Sequence, residues 1–420
     1  MKILVVGSGA REDAICKSLQ DSDRFNDVFC APGNAGMRLF GIQTVDIKET
    51  EFDKLANFAI ENDINYTIVG PELPLVEGIV DYFNEQGLKI FGPNKQSAQI
   101  EGSKIFAKNL MKSANVPTAF YEEFTDFGLA IEYIEKKNQY PIVIKADGLA
   151  SGKGVYIVDC LDTAIDILHS LLVDHKYDST KVVIEEFLAG EEFSLMAFVD
   201  GPNFYPMPIA QDYKRALDND EGLNTGGMGA ICPVQNIESN VVFEAYKRVL
   251  KPFVHEMDAQ GFGYKGILYA GLILTGDGIK VIEFNVRFGD PETEVVLPRL
   301  KSDLSKVIDT LLNGETVDNM DWRDDGVDLG VFVASKGYPE NPDIGKDIGT
   351  KEQFQSCRYN LNFASVIENS TNLISDGGRL YCVQTHANNI QNAKDKIYSY
   401  LEDINTDNVF YRSDIGKNSI

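Results

Sequence analysis

Short apolar runs that end in glycine or proline recur through the first hundred residues, separated by stretches of helical period. The runs are ILVVG (3–7), DVFCAPG (27–33), YTIVGPE (66–72) and LKIFGP (88–93). Runs of this length, bounded by turn residues, read as buried strands. The stretches 51–62 and 74–86 between them read as helices. Regular alternation of the two predicts a parallel sheet with crossover helices. Ligands on such a sheet lie beyond the carboxyl ends of the strands. Those ends carry Gly7-Ser8-Gly9-Ala10-Arg11-Glu12, Pro32-Gly33-Asn34 and Gly70-Pro71-Glu72. The first opens a helix, so its backbone N–H groups and Arg11 are placed to hold a phosphate. Only two glycines of G-x-G-x-x-G are present, and no ribose-binding acid follows the second strand. A phosphate-bearing sugar therefore fits this crevice better than a nicotinamide dinucleotide, with an unliganded glycine turn as the plain alternative.

From residue 103 the pattern changes. Lys104 and Lys108 lie four apart, hence on one face of a helix that Pro117 brings to an end. PIVIKADGLASGKGVYIV (141–158) reads as two strands around the loop Gly148-Leu149-Ala150-Ser151-Gly152-Lys153-Gly154. It is not a Walker A loop, because the spacing is short and a strand follows. Its glycines and Lys153, with Lys145 on the incoming strand, suit a hairpin folding over a triphosphate. VVIEEFLAGEEFSLMAFVDG (182–201) reads as a second hairpin turning at Leu188-Ala189-Gly190, with Glu185, Glu186, Glu191 and Glu192 at the joint. That joint is either a solvated acidic turn or a linker whose backbone meets an adenine edge, an acid taking the ribose hydroxyls. The loop 210–230 holds Asp212, Lys214 and Arg215, then Asn224-Thr225-Gly226-Gly227-Met228-Gly229, whose paired glycines can expose an anion nest.

A helix (about 240–260) and a strand (266–274) lead to VIEFNVRFGDPETE, 281–294. Residues two apart on a strand share a face, so Glu283 and Asn285 project together and Arg287 follows them. A carboxylate and an amide oxygen are ligands of the kind Mg²⁺ takes alongside phosphate oxygens. Asp290, Glu292 and Glu294 crowd the turn beyond; a merely charged hairpin end is the alternative. Segment 297–326 links onward. Strands at 329–335 and 379–387 and a helix over 390–403 predict a small α+β unit, in which no catalytic cluster stands out.

Charge narrows the partners. A formal net charge of −25 argues against nucleic acid and anionic membranes, so an anionic substrate must be met by local cations. The six cysteines form no C-x-x-C and fit no zinc spacing, which predicts reduced thiols and a cytoplasmic protein. The four histidines fall outside every motif, so histidine acid–base chemistry is not expected. The N-terminal apolar run is too short for a signal peptide, and no run approaches the roughly 20 residues of a membrane span.

A lysine strand, a glycine-rich hairpin, an acidic linker and a Glu-x-Asn strand, in this order, resemble the ATP-grasp superfamily. GSGARE, APGNAG, VGPE, IFGP, EGSK, IKADGLASGKGV, GEEFS, NTGGMGA and IEFNVRFGDPE run over nearly the whole chain. Together they resemble the phosphoribosylamine–glycine ligase (glycinamide ribonucleotide synthetase) family of de novo purine biosynthesis. The resemblance implies an α/β and α+β multidomain chain. Its parts are a parallel α/β domain (1–102), an ATP-grasp domain (103–296) with a mobile lid (about 121–189), a linker (297–326) and a small α+β domain (327–420). It implies ligation of glycine to 5-phospho-β-D-ribosylamine through glycyl phosphate, with ATP as substrate and Mg²⁺ or Mn²⁺ as cofactor, by a monomer or a dimer. Another ATP-grasp carboxylate–amine ligase with a different amine, or a nucleotide-binding protein without catalysis, are the other readings.

Residue roles follow from the same resemblance. Lys104 and Lys145 contact ATP phosphates, with Ser151, Gly152, Lys153 and Gly154 closing over them. Glu185, Phe187 and Leu188 form the adenine linker, and Glu192 takes the ribose. Glu283 and Asn285 hold the metal, and Arg287 stabilises the transferring phosphoryl group. Asp212, Lys214, Asp290, Thr225, Gly226 and Gly227 serve glycine and the ribosylamine; Gly9, Arg11, Gly33, Asn34 and Glu72 line the phosphoribosylamine site. Two places depart from the family pattern. Arg11-Glu12-Asp13-Ala14 stands where Arg-Glu-His-Ala is usual, and Asn362-Phe363-Ala364-Ser365 where many relatives carry Phe-His-Ala-Gly. An Asp beside a phosphate site is unhelpful unless it points away.

Overall fold

Ile3, Leu4, Val5 and Val6 of the first strand are all fully buried, which a strand achieves only when both faces of its sheet are covered. The computed structural model describes residues 1–24, 26–150 and 154–417. Strands β1 (Lys2–Gly7), β2 (Asp27–Pro32), β3 (Gln43–Thr44), β4 (Tyr66–Val69) and β5 (Ile90–Phe91) form a parallel sheet in the order β3-β2-β1-β4-β5. The order reverses at β1, so a crevice opens beyond the ends of β1 and β4. Helix α1 (Ala10–Gln20) starts in that crevice. Two differences from the sequence reading are local. The strand expected over 88–93 shortens to β5, and the helix expected over 74–86 breaks at Gly78, whose φ of 101° lies in the left-handed region.

The middle of the chain builds two sheets. Strands β6 (Tyr121–Phe124), β7 (Ile142–Ala146), β8 (Val155–Val158) and β9 (Val182–Glu186) pair in the order β6-β9-β7-β8, backed by helices Phe127–Lys137 and Leu161–Leu172. Strands β10 (Glu191–Asp200) and β11 (Asn203–Pro206) belong to another sheet. The second hairpin expected at 182–201 is therefore not one. Residues 187–190 cross between sheets because β10 takes the later strand β16 (Lys265–Thr275) as its antiparallel partner over ten residue pairs. A Cβ at Gly190 would collide with the Leu274 carbonyl, so this crossing requires glycine. After β12 (Gln211–Asp212), the ribbon β13 (Arg215–Leu217) and β14 (Glu221–Asn224), and β15 (Gly229–Cys232), the chain returns through β16 (Lys265–Thr275) and β17 (Gly278–Asn285). The sheet order is β11-β10-β16-β17.

The last sheet collects β18 (Val327–Ser335), β20 (Asn360–Phe363) and β23 (Arg379–Ala387), with β24 (Val409–Phe410) beside β18; β19 (Asp347–Thr350), β21 (Val366–Glu368) and β22 (Asn372–Ser375) form a separate ribbon. Its order is β12-β15-β18-β23-β20, so two strands from before β16 are built into the C-terminal sheet. Backbone pairing therefore ties the C-terminal unit to the loop between β12 and β15.

The segment 297–326 is more than a connection. Leu304, Val307, Ile308 and Leu311 of its helix Leu304–Leu312 pack into the core that holds Ile3, Val5 and Tyr66. Arg299, 1 % exposed, meets the fully buried Asp328 at 2.7 Å and donates to the Arg323 and Asp325 carbonyls at 2.8 and 2.9 Å. Asp13 points away from the strand-end crevice. It accepts the Phe363 N–H at 2.6 Å and pairs with Lys17 at 2.9 Å, so the two departures from the family pattern touch each other across the N- and C-terminal units.

Breaking a buried ion pair on one side leaves the other charge uncompensated and costs about 3–5 kcal/mol. Asp328→Ala is expected to lose stability in that range by denaturant unfolding. Arg299→Met with Asp328→Leu together should lose clearly less than Asp328→Ala alone.

Candidate active site

Two adjoining cavities, about 410 and 510 Å³, form one cleft. Lys145, Glu185, Glu283, Asn285 and Arg287 line both. Arg11, Glu72 and Glu101 line the lobe under the parallel sheet; Phe187, Leu188, Glu192, Asp212 and Lys214 line the lobe under the sheet β6–β9.

The floor is the end of β17. Glu283 pairs in register with Gly271 and Asn285 with Tyr269, so the neighbouring strand offers no second acid beside Glu283. Burial pushes the Glu283 carboxyl up, but Lys145, Lys104, Lys214 and Arg287 outweigh it and hold it ionised below the usual range. Among the described residues, no group of three or more His, Cys, Asp or Glu can hold a metal alone. An ionised carboxylate and an amide oxygen on one face fit a hard cation completed by phosphate oxygens and water.

Lysines form the wall. Helix Lys104–Ser113 is capped by Ser103, whose hydroxyl also donates to Asp147 at 3.0 Å, and Lys104 donates to the Gly148 carbonyl at 3.0 Å. This fixes the start of the glycine-rich loop against the helix; its residues Ser151, Gly152 and Lys153 lie outside the described residues. Lys145 meets Glu185 at 2.9 Å, and Lys108 meets the same carboxylate at 3.1 Å. All three side chains are at most 6 % exposed. The Glu185 side chain is thus spent between two lysines, and only its backbone is left for the linker role. Lys108 also donates to Thr118 Oγ1 at 2.8 Å, and burial drives its ammonium down to about 8 despite Glu185.

Several expected phosphate and nest contacts are already occupied. The Gly9 N–H goes to Glu12 Oε2 at 2.6 Å, and Arg11 Nε to Glu12 Oε1 at 2.5 Å. Side chains on Gly7, Gly9 or Gly70 would run into the Glu12 carboxyl, so these glycines make room for Glu12. The helix start read as a phosphate cradle is therefore filled by the protein's own carboxylate. Gly33 bends the chain at φ 64° beside Thr44. Asn34 caps the helix Ala35–Arg38 through Met37 and donates to the Ser8 and Phe363 carbonyls at 2.8 and 2.9 Å, which uses its whole amide on structure. The nest expected at Gly226-Gly227 is also closed: the Gly226 N–H goes to the Tyr338 hydroxyl at 3.0 Å, and the Gly227 N–H to Thr225 Oγ1 at 2.9 Å.

Arg287 sits at the meeting point of the lobes. Its guanidinium is 2.9 Å from Glu101 and 3.4 Å from Glu72. Asp212 and Glu192 both hold Lys214, at 2.9 and 3.0 Å, on the rim of the other lobe. Of the acids crowding the turn, Glu292 lines the second lobe while bonded to Ser194 (2.8 Å) and Tyr269 (2.9 Å), and the fully buried Glu294 does not face the cleft. Asp290 does, and Arg379 of β23 meets it at 2.7 Å while donating to the Gly226 and Gly227 carbonyls.

Sequence reasoning missed three of these groups. Lys108 was visible as the helical neighbour of Lys104, and Glu101 stands three residues before Lys104 in EGSK. Nothing local marks Arg379, which reaches the cleft only through the register of the last sheet.

The comparisons with known proteins cover the chain end to end. Family models described as phosphoribosylglycinamide synthetase match it as the N domain over 1–101, the ATP-grasp (A) domain over 102–293 and the C domain over 328–418. The phosphoribosylamine–glycine ligases of Streptococcus pneumoniae serotype 4 and Lactococcus lactis subsp. lactis are each 49 % identical over all of both chains. The crystal structure of phosphoribosylamine–glycine ligase from Thermotoga maritima superposes with a TM-score of 0.84 at 32 % identity, covering 99 % of this chain and 100 % of that one. The biotin carboxylase domain of 2-oxoglutarate carboxylase from Hydrogenobacter thermophilus, at 16 % identity and TM-score 0.73 over 98 % of this chain and 91 % of that one, shares the fold.

Burial disfavours the charged form of a lysine, so Lys108 is expected to lose its proton at lower pH than a surface lysine. Titration of ¹⁵N-lysine side chains should show one group with a midpoint of about 8 that disappears in Lys108→Met. A spectrum in which every lysine titrates near 10 would exclude this assignment.

Proposed function

The chain belongs to the phosphoribosylglycinamide synthetase family, and we propose that this cleft is where it ligates glycine to 5-phospho-β-D-ribosylamine. It is a phosphoribosylamine–glycine ligase of purine biosynthesis, with ATP as co-substrate and a divalent cation. The products are N1-(5-phospho-β-D-ribosyl)glycinamide, ADP and phosphate. The observation that carries the placement is the convergence of Lys104, Lys145, Glu283, Asn285 and Arg287 on one cleft that also receives Arg11 and Glu72 from the parallel sheet.

In this reading the glycine carboxylate attacks the γ-phosphate to give glycyl phosphate, and the ribosylamine nitrogen then attacks its carbonyl. Little covalent work falls to the protein; positioning and charge neutralisation carry the first step. Lys104 and Lys145 hold phosphate oxygens, and Gly154 with the rest of the glycine-rich loop covers them. Residues 185–188 offer backbone to the adenine, and Glu192 reaches the ribose. Glu283 and Asn285 hold Mg²⁺ or Mn²⁺, which neutralises phosphate charge when bound. Arg287 leaves its carboxylates to meet the transferring phosphoryl group.

Asp290 and Lys214 with Asp212, and the carbonyls of Gly226 and Gly227, orient glycine. A carbonyl-lined, carboxylate-rimmed pocket suits its ammonium group better than an anion. Arg11, Glu72 and the turns at Gly9 and Gly33 shape the phosphoribosylamine end. Sheet β6–β9 acts as a lid over ATP, and the chain works in the cytoplasm as a monomer or a dimer. Among the described residues no helix is long and apolar enough to cross a membrane.

ADP release with ATP, Mg²⁺ and glycine should depend on phosphoribosylamine generated in the cuvette, with glycinamide ribonucleotide seen by mass spectrometry. Release with another amine alone would leave the ATP half standing and overturn the ligation. Glu283→Ala and Arg287→Ala are each expected to abolish turnover while the chain still folds, shown by a retained cooperative unfolding transition; near-full activity would remove that residue from the mechanism. Arg379→Met frees Asp290 and the 225–227 loop. It should raise the KM for glycine about tenfold or more, the effect of losing one charge-assisted contact, and leave the KM for ATP within about twofold. An equal rise in both would make Arg379 a general support.

A further inference from the structure

The ligation step moves a proton that the groups assigned so far do not carry. When the neutral ribosylamine nitrogen attacks the glycyl carbonyl, the new N–C bond leaves nitrogen with one proton too many. The proton must leave nitrogen as the carbon–oxygen bond to phosphate breaks, and the phosphate, which departs with the electron pair, ends by holding it as hydrogen phosphate. The acceptor has to lie between the strand-end crevice and the phosphate lysines, within reach of the nitrogen but not committed to a cation for the whole cycle.

The carboxylates of the cleft divide by that test. Glu185 is clamped by Lys108 and Lys145, Asp290 by Arg379, Asp212 and Glu192 by Lys214, Glu186 by Lys280 and Asp220 by Arg412, while Glu292 is bonded to Ser194 and Tyr269 in the other lobe. Glu283 belongs to the metal, and Glu12 is locked to Arg11 and the Gly9 N–H. Glu72 and Glu101 remain, sharing Arg287. Glu101 ends the helix Lys95–Gly102 with its side chain 7 % exposed in the cleft wall. Its Oε2 is fixed by the Val286 N–H at 2.8 Å, and its Oε1 faces Arg287. One oxygen is thus anchored to backbone, and the other becomes free once Arg287 turns to the phosphoryl group.

We propose that Glu101 accepts the proton from the ribosylamine nitrogen in the ligation step, the carboxylate taking it on the oxygen that Arg287 vacates and passing it on to the departing phosphate. The proposal rests on the ligation reading above. Basicity separates Glu101 from its neighbour. Burial pushes its carboxyl up to about 7 against the pull of Arg287, with Glu72 adding to the rise and Arg11 opposing it; Lys104 and Tyr264 also face it. For Glu72, burial is outweighed by Arg287 and Arg11, which hold it below the usual carboxylate range. A general base works best with a pKa near the working pH.

A single turnover with ATP, Mg²⁺, glycine and phosphoribosylamine, quenched into hydroxylamine, separates the two steps. ADP and trapped glycyl hydroxamate report phosphoryl transfer; glycinamide ribonucleotide reports ligation. Glu101→Gln keeps the shape and the Val286 contact. It should form ADP within about threefold of wild type while ligation falls by about 100-fold or more, so that hydroxamate accumulates. The wild-type ligation rate should fall as pH drops through about 7, and this limb should be absent in the variant. Equal losses of ADP and product formation would make Glu101 a support for Arg287 alone and overturn the proposal, as would an unaltered ligation rate. If the Gln variant does not fold, Glu101→Asp, which keeps the acid but withdraws it, should slow ligation about tenfold or more with ADP formation retained; equal losses there overturn it too. Wild-type enzyme that makes ADP but no glycinamide ribonucleotide would instead remove the ligation reading itself.

Discussion

Cations gathered to meet a polyphosphate repel one another until it arrives, and this cleft is organised around that repulsion. Its answer is a carboxylate for almost every cation: Glu185 between Lys108 and Lys145, Glu72 and Glu101 on either edge of Arg287, Asp290 on Arg379, and Glu12 on Arg11. Water cannot screen charges held this deep. The pairs keep long side chains near their working positions, so little ordering remains to be done when ATP binds. They also leave binding an exchange, in which phosphate oxygens replace carboxylates around the same ammonium and guanidinium groups.

That arrangement explains glycines that would otherwise look like ligand-approach residues. Gly7, Gly9 and Gly70 surround the Glu12 carboxyl, and a side chain on any of them would displace it. Gly226 lies flat against the Arg379 guanidinium, and Gly227, at φ 105°, lies against Pro291. These positions are small because the protein fills the space itself. A glycine pair read from sequence as an anion nest becomes a pair of carbonyls that accept from Arg379, with its N–H groups turned to Tyr338 and Thr225.

The three units of the chain meet at this cleft and constrain one another there. The C-terminal sheet begins with β12 and β15, so the loop between them moves with β18 and β23. Arg379 and Tyr338 bring that sheet onto the rim. On its far edge, β20 is tied to α1 by Asp13 and Lys17 and to the turn after β2 by Asn34. A strand edge of the last unit is thereby locked to the helix that opens the first unit's crevice.

Much of this was legible in the chain. Periodicity alone placed β1, β2, β4, β16, β18 and β23 and the helix 390–401, because burial on both sheet faces leaves uninterrupted apolar runs. The two-residue repeat placed Glu283 and Asn285 on one face, since strand geometry permits nothing else. The length of motifs in order was enough to indicate the family and its chemistry. What the sequence could not determine was which polar groups spend their hydrogen bonds on each other. Glu185 read as linker and is a bridge between lysines; the hairpin at 182–201 is a crossing between sheets; Arg379 lies 92 residues beyond Arg287 and joins it only through the register of β23 on β18. Local pattern reports backbone period and face, which act over a few residues. Charge pairing and sheet exchange act through space, and only the tertiary structure decides them.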